Sequence, residues 1–283
     1  MKEVIPQYLY HYTNIDSLAL ILKNKTIRLN SLDKMDDLQE QMSQDKQNFG
    51  KFIFVSSWTD DETESIPMWR MYTPKQRGVR IKLPINPFVE YQATTQEIEK
   101  TFGIPVLADK NTPAPFKTIV PFEKLFSGDF SIVNYGIGKQ LIKIEYVDEE
   151  NLLNPTLVEN KSDGSIGIAL DDLGKYKNKY WKFQREWRYK LMFYPASVKK
   201  MAVEHFKGQN IEIATLFQNI IKGQATLPFN HYDLSVKKES FEDMTIMLAP
   251  DISDSSKTFV ELLVKEFNPK CKIETSALFN LIR

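Results

Sequence analysis

The shape of the apolar segments constrains this chain most. Tyr8 to Thr13 (YLYHYT), Thr26 to Asn30 (TIRLN), Phe52 to Trp58 (FIFVSSW), Gly78 to Leu83 (GVRIKL), Leu141 to Val147 (LIKIEYV) and Glu186 to Phe193 (EWRYKLMF) are all of strand length, either alternating or continuously apolar. Helical spacing appears between them: at Ile15, Leu18 and Leu22 behind Asn14 as an expected N-cap, from Pro67 to Tyr72, over Leu170 to Trp181, and near Ser255 to Phe267. Met244 to Leu248 and Lys272 to Thr275 read as late strands. The economical reading is a single α+β domain over residues 1–283. Residues 85–140 carry much of the Pro and Gly and are expected to form an insertion of helix and irregular loops.

Charge narrows the partners. Lys plus Arg number 37 and Asp plus Glu number 37, so no whole-protein field draws the chain to nucleic acid or anionic lipid, and a site for a polyanion has to be local. One cysteine, Cys271, rules out an intramolecular disulfide and a Cys-rich zinc site. The opening residues lack the continuous apolar stretch of a signal peptide, and no run approaches the roughly 18 apolar residues of a membrane span. A cytoplasmic protein with no membrane partner is expected.

The sequence lacks the motifs of several chemistries. Three histidines, His11, His205 and His231, show no His pair at i+4, so a metal site built by this chain is not expected. NYGIGKQ (134–140) has Val133 where a phosphate loop needs its first glycine, and Gln140 where it needs Ser or Thr. No GxSxG elbow and no GxGxxG fingerprint occurs.

Two segments remain able to carry chemistry. Between Asp172 and Glu204 the sole acid is Glu186, set among Lys175, Lys177, Lys179, Lys182, Arg185, Arg188 and Lys190, with Tyr180, Trp181, Trp187 and Tyr189 interleaved. The plain structural reading is a strand whose outward charges pair with Glu186 while Trp187 and Tyr189 face the core. The functional reading is a site that holds a phosphate by Arg188 and its neighbouring lysines, stacks rings on Trp or Tyr, and reserves Glu186 for a developing positive charge. Cleavage of the N-glycosidic bond of NAD has those needs. His11, beside Thr13 in an aromatic strand, is the second candidate, able to donate or accept at the mouth of a sheet.

Taken together, YLYHYTNIDSLALILKNKTIRL, MDDLQE, FVSSWT, PMWRMYT, GVRIKL and the late W-x-x-x-x-E-W-R resemble a widespread bacterial family of unknown function. The chain departs from that family at MDDLQE, where Asp36 and Leu38 stand at its Asn and Pro positions. The family's layout is similar in turn to the ADP-ribosyltransferase superfamily, which implies a mixed, split β-sheet with helices packed around it. By that resemblance Glu186 and His11 would be the catalytic pair: Glu186 would bond the 2′-hydroxyl of the nicotinamide ribose and stabilise the oxocarbenium-like state, and His11 would contact a ribose hydroxyl. Tyr12 would hold the carboxamide through its backbone, with Thr13 supporting the turn. Ser56 and Ser57 would floor the pocket, Trp69 and Tyr72 would pack on the nicotinamide ring, and Arg70 would reach the pyrophosphate.

The function these readings imply is an NAD-consuming enzyme passing ADP-ribose to a macromolecule, a nucleotide or water, with NAD as substrate. Common use of such enzymes suggests a toxin or antiviral effector. The competing class is a non-catalytic module in which residues 175–190 hold a nucleotide or nucleic acid by stacking and phosphate contacts.

Overall fold

The computed structural model describes residues 5–45, 47–92, 117–126, 128, 130–133, 140–160, 166–209 and 211–282. Strand β1 (Tyr8–Asn14) runs directly into helix α1 (Ile15–Asn24), and the expected cap is present: the Asn14 side chain accepts from Ser17 N at 2.8 Å. Next come β2 (Thr26–Ser31), β3 (Ile53–Thr59), α2 (Ile66–Tyr72) and β4 (Gly78–Pro84). The later chain supplies β5 (Ser131–Val133), β6 (Leu141–Lys143), β7 (Glu145–Val147), β8 (Tyr176–Asn178) and β9 (Glu186–Tyr194). It closes with α3 (Val198–Phe206), α4 (Ile211–Ile221), β10 (His231–Ser235), β11 (Thr245–Leu248), α5 (Asp254–Phe267) and β12 (Lys272–Thr275). No described helix is long and apolar enough to cross a membrane.

The fold is α+β around one mixed sheet in the order β10-β2-β3-β1-β4-β11-β12, with β9 on β3 and extended by β5 and β6. Two long ladders dominate it: β1 pairs with β4 over seven residues, and β9 pairs with β3 over seven. Between β1 and β3 the register reduces to a single pair, Tyr10 with Thr59. Beyond that pair the strands diverge, and β2 joins β3 only at Val55 and Phe54. The sheet therefore opens along the second halves of β1 and β3. It is there that His11, Tyr12, Thr13, Ser56 and Ser57 stand.

β9 is buried on both faces. Trp187, Tyr189, Leu191 and Phe193 join the main apolar cluster, as alternation predicts. Glu186, Arg188 and Lys190 share the opposite face, and here the outward-charge expectation fails: all three are buried. Lys190 Nζ donates to the carbonyls of Asp171 (2.5 Å) and Leu173 (2.7 Å), and Arg188 Nη1 to that of Gly174 (3.1 Å). Those bonds explain a second correction. The expected helix over Leu170 to Trp181 is instead a turn, the strand β8 and a 3-10 segment (Lys179–Gln184), because its carbonyls serve buried cations and Gly174 takes φ +78°.

The strand expected from Leu141 to Val147 is broken at Ile144: β6 pairs with β9, and β7 pairs in parallel with β8. Of the expected insertion, residues 93–116, 127, 129 and 134–139 lie outside the described residues, the last group including most of NYGIGKQ. Its described part includes β5, an integral strand against Met192 to Tyr194.

Candidate active site

The cleft is built from the split outward. His11 on β1 turns its ring toward β3, where Ser57 O lies 2.8 Å from Nδ1. A carbonyl only accepts, so Nδ1 carries the hydrogen and neutral His11 keeps an open lone pair on Nε2. The side chain thus replaces the backbone ladder that β1 and β3 lose. Its ring lies 5.0 Å from that of Trp58.

From the other wall comes Glu186, first residue of β9, whose backbone N–H donates to Tyr146 Oη at 2.8 Å. Its carboxylate belongs to a buried quartet of two acids and two bases. Arg188 Nε donates to Glu186 Oε1 (2.5 Å), and Arg188 Nη2 reaches both oxygens of Glu40 (2.7 and 2.9 Å). Lys177 Nζ donates to Glu186 Oε2 (2.9 Å), stands 3.1 Å from Glu40 Oε1, and donates to Gln184 Oε1 (2.8 Å). The four charges cancel, which is the condition for burying them together. Gln184 continues the chain by donating to Tyr72 Oη. Arg188 and Lys177 outweigh burial at Glu186 and hold its carboxyl down at about 2, so it is a fixed anion.

His11 and Glu186 line one cavity of about 90 Å³ with Tyr12, Ser57, Tyr72, Arg188, Lys177, Trp181, Asp36 and Asp37. A second compartment of about 350 Å³ runs into the split between β1, β2 and β3 and adds Thr13, Ser56, Arg28 and Asn30. The two share His11, Tyr12, Met35, Asp36, Ser57 and Tyr72 as walls, so they form one cleft. Of the ten residues expected at the site, the structure gathers eight: Glu186, His11, Tyr12, Thr13, Ser56, Ser57, Tyr72 and Arg188.

Trp69 and Arg70 are placed elsewhere, and Arg188 lines the cavity but gives its guanidinium to Glu186, Glu40 and the Gly174 carbonyl instead of offering it to a phosphate as expected. α2 presents Met68 and Tyr72, four apart, to the cavity, so positions 69 and 70 point elsewhere. Trp69 packs edge-on against Tyr12 and donates from Nε1 to Glu64 (2.9 Å), and Arg70 lies 3.9 Å from Asp251. Sequence reasoning also missed Glu40, Gln184, Asp37 and the inward direction of Lys177. One signal could have found them: a single acid among seven cations in a segment that ends in an apolar strand demands a counter-charge from elsewhere, and MDDLQE was the acidic segment at hand. Among the described residues, no group of three or more His, Cys, Asp and Glu is gathered as a metal site.

Residues 68–189 match a family described as "Protein of unknown function (DUF2971)". Searches of curated proteins and of solved structures returned no match. The DUF2971 span takes in α2, β4, Lys177, Gln184, Glu186 and Arg188, while His11, Glu40 and the split-side face of β3 lie ahead of it. The chain's similarity to DUF2971 therefore covers one wall of the cleft.

Burial lowers the pKa of His11, against the carbonyl of Ser57, which raises it. The folded protein thus binds a proton here less readily than the unfolded chain, whose histidine titrates near 6.5. Stability should be independent of this group above that pH and should fall as pH drops below it. Urea midpoints at pH 7.5 and 5.5 should show the decline, and His11→Gln should flatten it. Glu186 has its pKa depressed instead, so its contribution is present above about 4.5 and is lost as pH falls toward about 2.

Proposed function

We propose that this cleft binds NAD and that the protein cleaves the nicotinamide N-glycosidic bond, passing ADP-ribose to water, a nucleotide or a macromolecule. The observation that supports this reading is the convergence of His11 and Glu186 on one cavity that continues into a larger one. In it the smaller compartment takes the nicotinamide riboside and the larger one, of a size common for small-molecule sites, takes the rest of the dinucleotide.

Departure of nicotinamide places positive charge on the ribose, and the bond's electron pair leaves with the pyridine nitrogen. A carboxylate already ionised and fixed in position lowers that state without reorganising, and Glu186 meets both conditions. His11 Nε2 would accept a ribose hydroxyl, and Trp181 and Tyr72 would flank the ring.

The competing nucleic-acid reading loses support in the basic segment. Lys177, Arg188 and Lys190 spend their charge inside the protein, Lys175 lies 3.2 Å from Glu145, and Lys179 and Arg185 pair with Asp148 and Asp60. The surface cations that remain are largely balanced by neighbouring acids. Incubation of the purified protein with NAD and chromatography of free nicotinamide tests the proposal: time-dependent release supports it, and release at the spontaneous rate at every enzyme concentration overturns it.

A further inference from the structure

Asp37 is a buried carboxylate that the ion-pair network leaves alone. It stands in the loop between β2 and β3, is 8% exposed, and lines the cavity with His11, Tyr72 and Glu186. Its Oδ1 accepts from Gln39 N at 3.0 Å, capping the 3-10 turn Leu38–Gln41, while its Oδ2 is buried with no hydrogen-bond partner. Buried polar atoms are nearly always paired, and an unmatched carboxylate oxygen costs stability that the fold has to recover elsewhere. Beside a cavity, the natural completion is a donor brought in by a ligand.

Glu186 does not offer the same service. Arg188 and Lys177 already bond its carboxylate, and it stays ionised down to about pH 2, which makes it a stabiliser of charge and a poor acceptor of protons. Two carboxylates on one cavity with such different surroundings suit two different tasks.

We propose that Asp37 is the general base of this site, taking the proton from the water or acceptor hydroxyl that attacks ribose C1′; this rests on the NAD reading above. The nucleophile's oxygen forms the bond to C1′, and the C1′–N bond breaks with its pair moving to the pyridinium nitrogen, so nicotinamide leaves neutral. The nucleophile's proton passes to Asp37 Oδ2 and then to solvent. Glu186 remains an anion throughout.

Asp37→Asn keeps the Oδ1 cap and the side-chain volume and removes the basic oxygen. Nicotinamide release should fall about a hundredfold or more, with NAD affinity by calorimetry within about threefold of wild type, since the ligand loses one contact of many. Azide is an anionic nucleophile with no proton to surrender. Millimolar azide should restore release in Asp37→Asn, giving ADP-ribosyl azide, and should leave Glu186→Gln inactive. Release by Asp37→Asn at the wild-type rate, or loss without azide rescue, overturns the base assignment while the NAD reading stands. Failure of the wild-type protein to release nicotinamide overturns both.

Discussion

Arg188→Met is expected to lower the stability of the protein by about 3–5 kcal/mol, the usual consequence of stripping one partner from a buried ion cluster. Arg188 supplies the Nε bond to Glu186 and both Nη2 bonds to Glu40, and without it two buried carboxylates face a single lysine. The methionine fills much of the stem's volume, so the loss reports charge more than cavity. Adding Glu40→Gln should recover part of it, because one negative charge is then removed with the positive one. Urea denaturation of the two variants and wild type measures both effects. A loss below about 1 kcal/mol for Arg188→Met would mean that the quartet rearranges or admits water, and that it does not fix Glu186.

The second large effect is catalytic. Glu186→Gln should reduce nicotinamide release by about a hundredfold or more, near 3 kcal/mol of transition-state stabilisation, as expected for one preorganised charge. The amide keeps a carbonyl oxygen for Lys177 or Arg188 but leaves the quartet one positive charge in excess. Its melting temperature should therefore fall too, so activity has to be read well below the melt, where near-ultraviolet circular dichroism matches wild type. Equal rates for variant and wild type would remove Glu186 from the chemistry.

Much of the frame was legible in the sequence because local pattern and final structure agree there. The strands at Tyr8, Thr26, Gly78 and Glu186 and the capped helix after Asn14 follow from alternation and a side-chain oxygen placed for Ser17 N. Eight of ten expected site residues line the cleft, seven of them on the strands β1, β3 and β9 that the pattern marks out and Tyr72 at the end of α2. The failures share a cause. Leu170 to Trp181 has a helix-like pattern, yet buried Lys190 and Arg188 take its carbonyls, a demand set by residues later in the chain. The charges of β9 read as a solvated face because their counter-ion, Glu40, lies 146 positions before Glu186. Trp69 and Arg70 fell on the wrong side of a short helix whose rotation is set by Met68 and Tyr72. α3 and α4 went unread, although both carry apolar spacing of moderate strength.

The central claim is that His11 and Glu186 act on one bound dinucleotide. A crystal structure of Glu186→Gln soaked with NAD tests it most directly, since the slowed variant preserves the glycosidic bond. The nicotinamide ring is expected beside Trp181 and Tyr72, with a ribose hydroxyl within hydrogen-bond distance of His11 Nε2 and the remaining nucleotide in the split between β1, β2 and β3. NAD bound elsewhere on the molecule, or a cleft that stays free of it at saturating concentration, would contradict it.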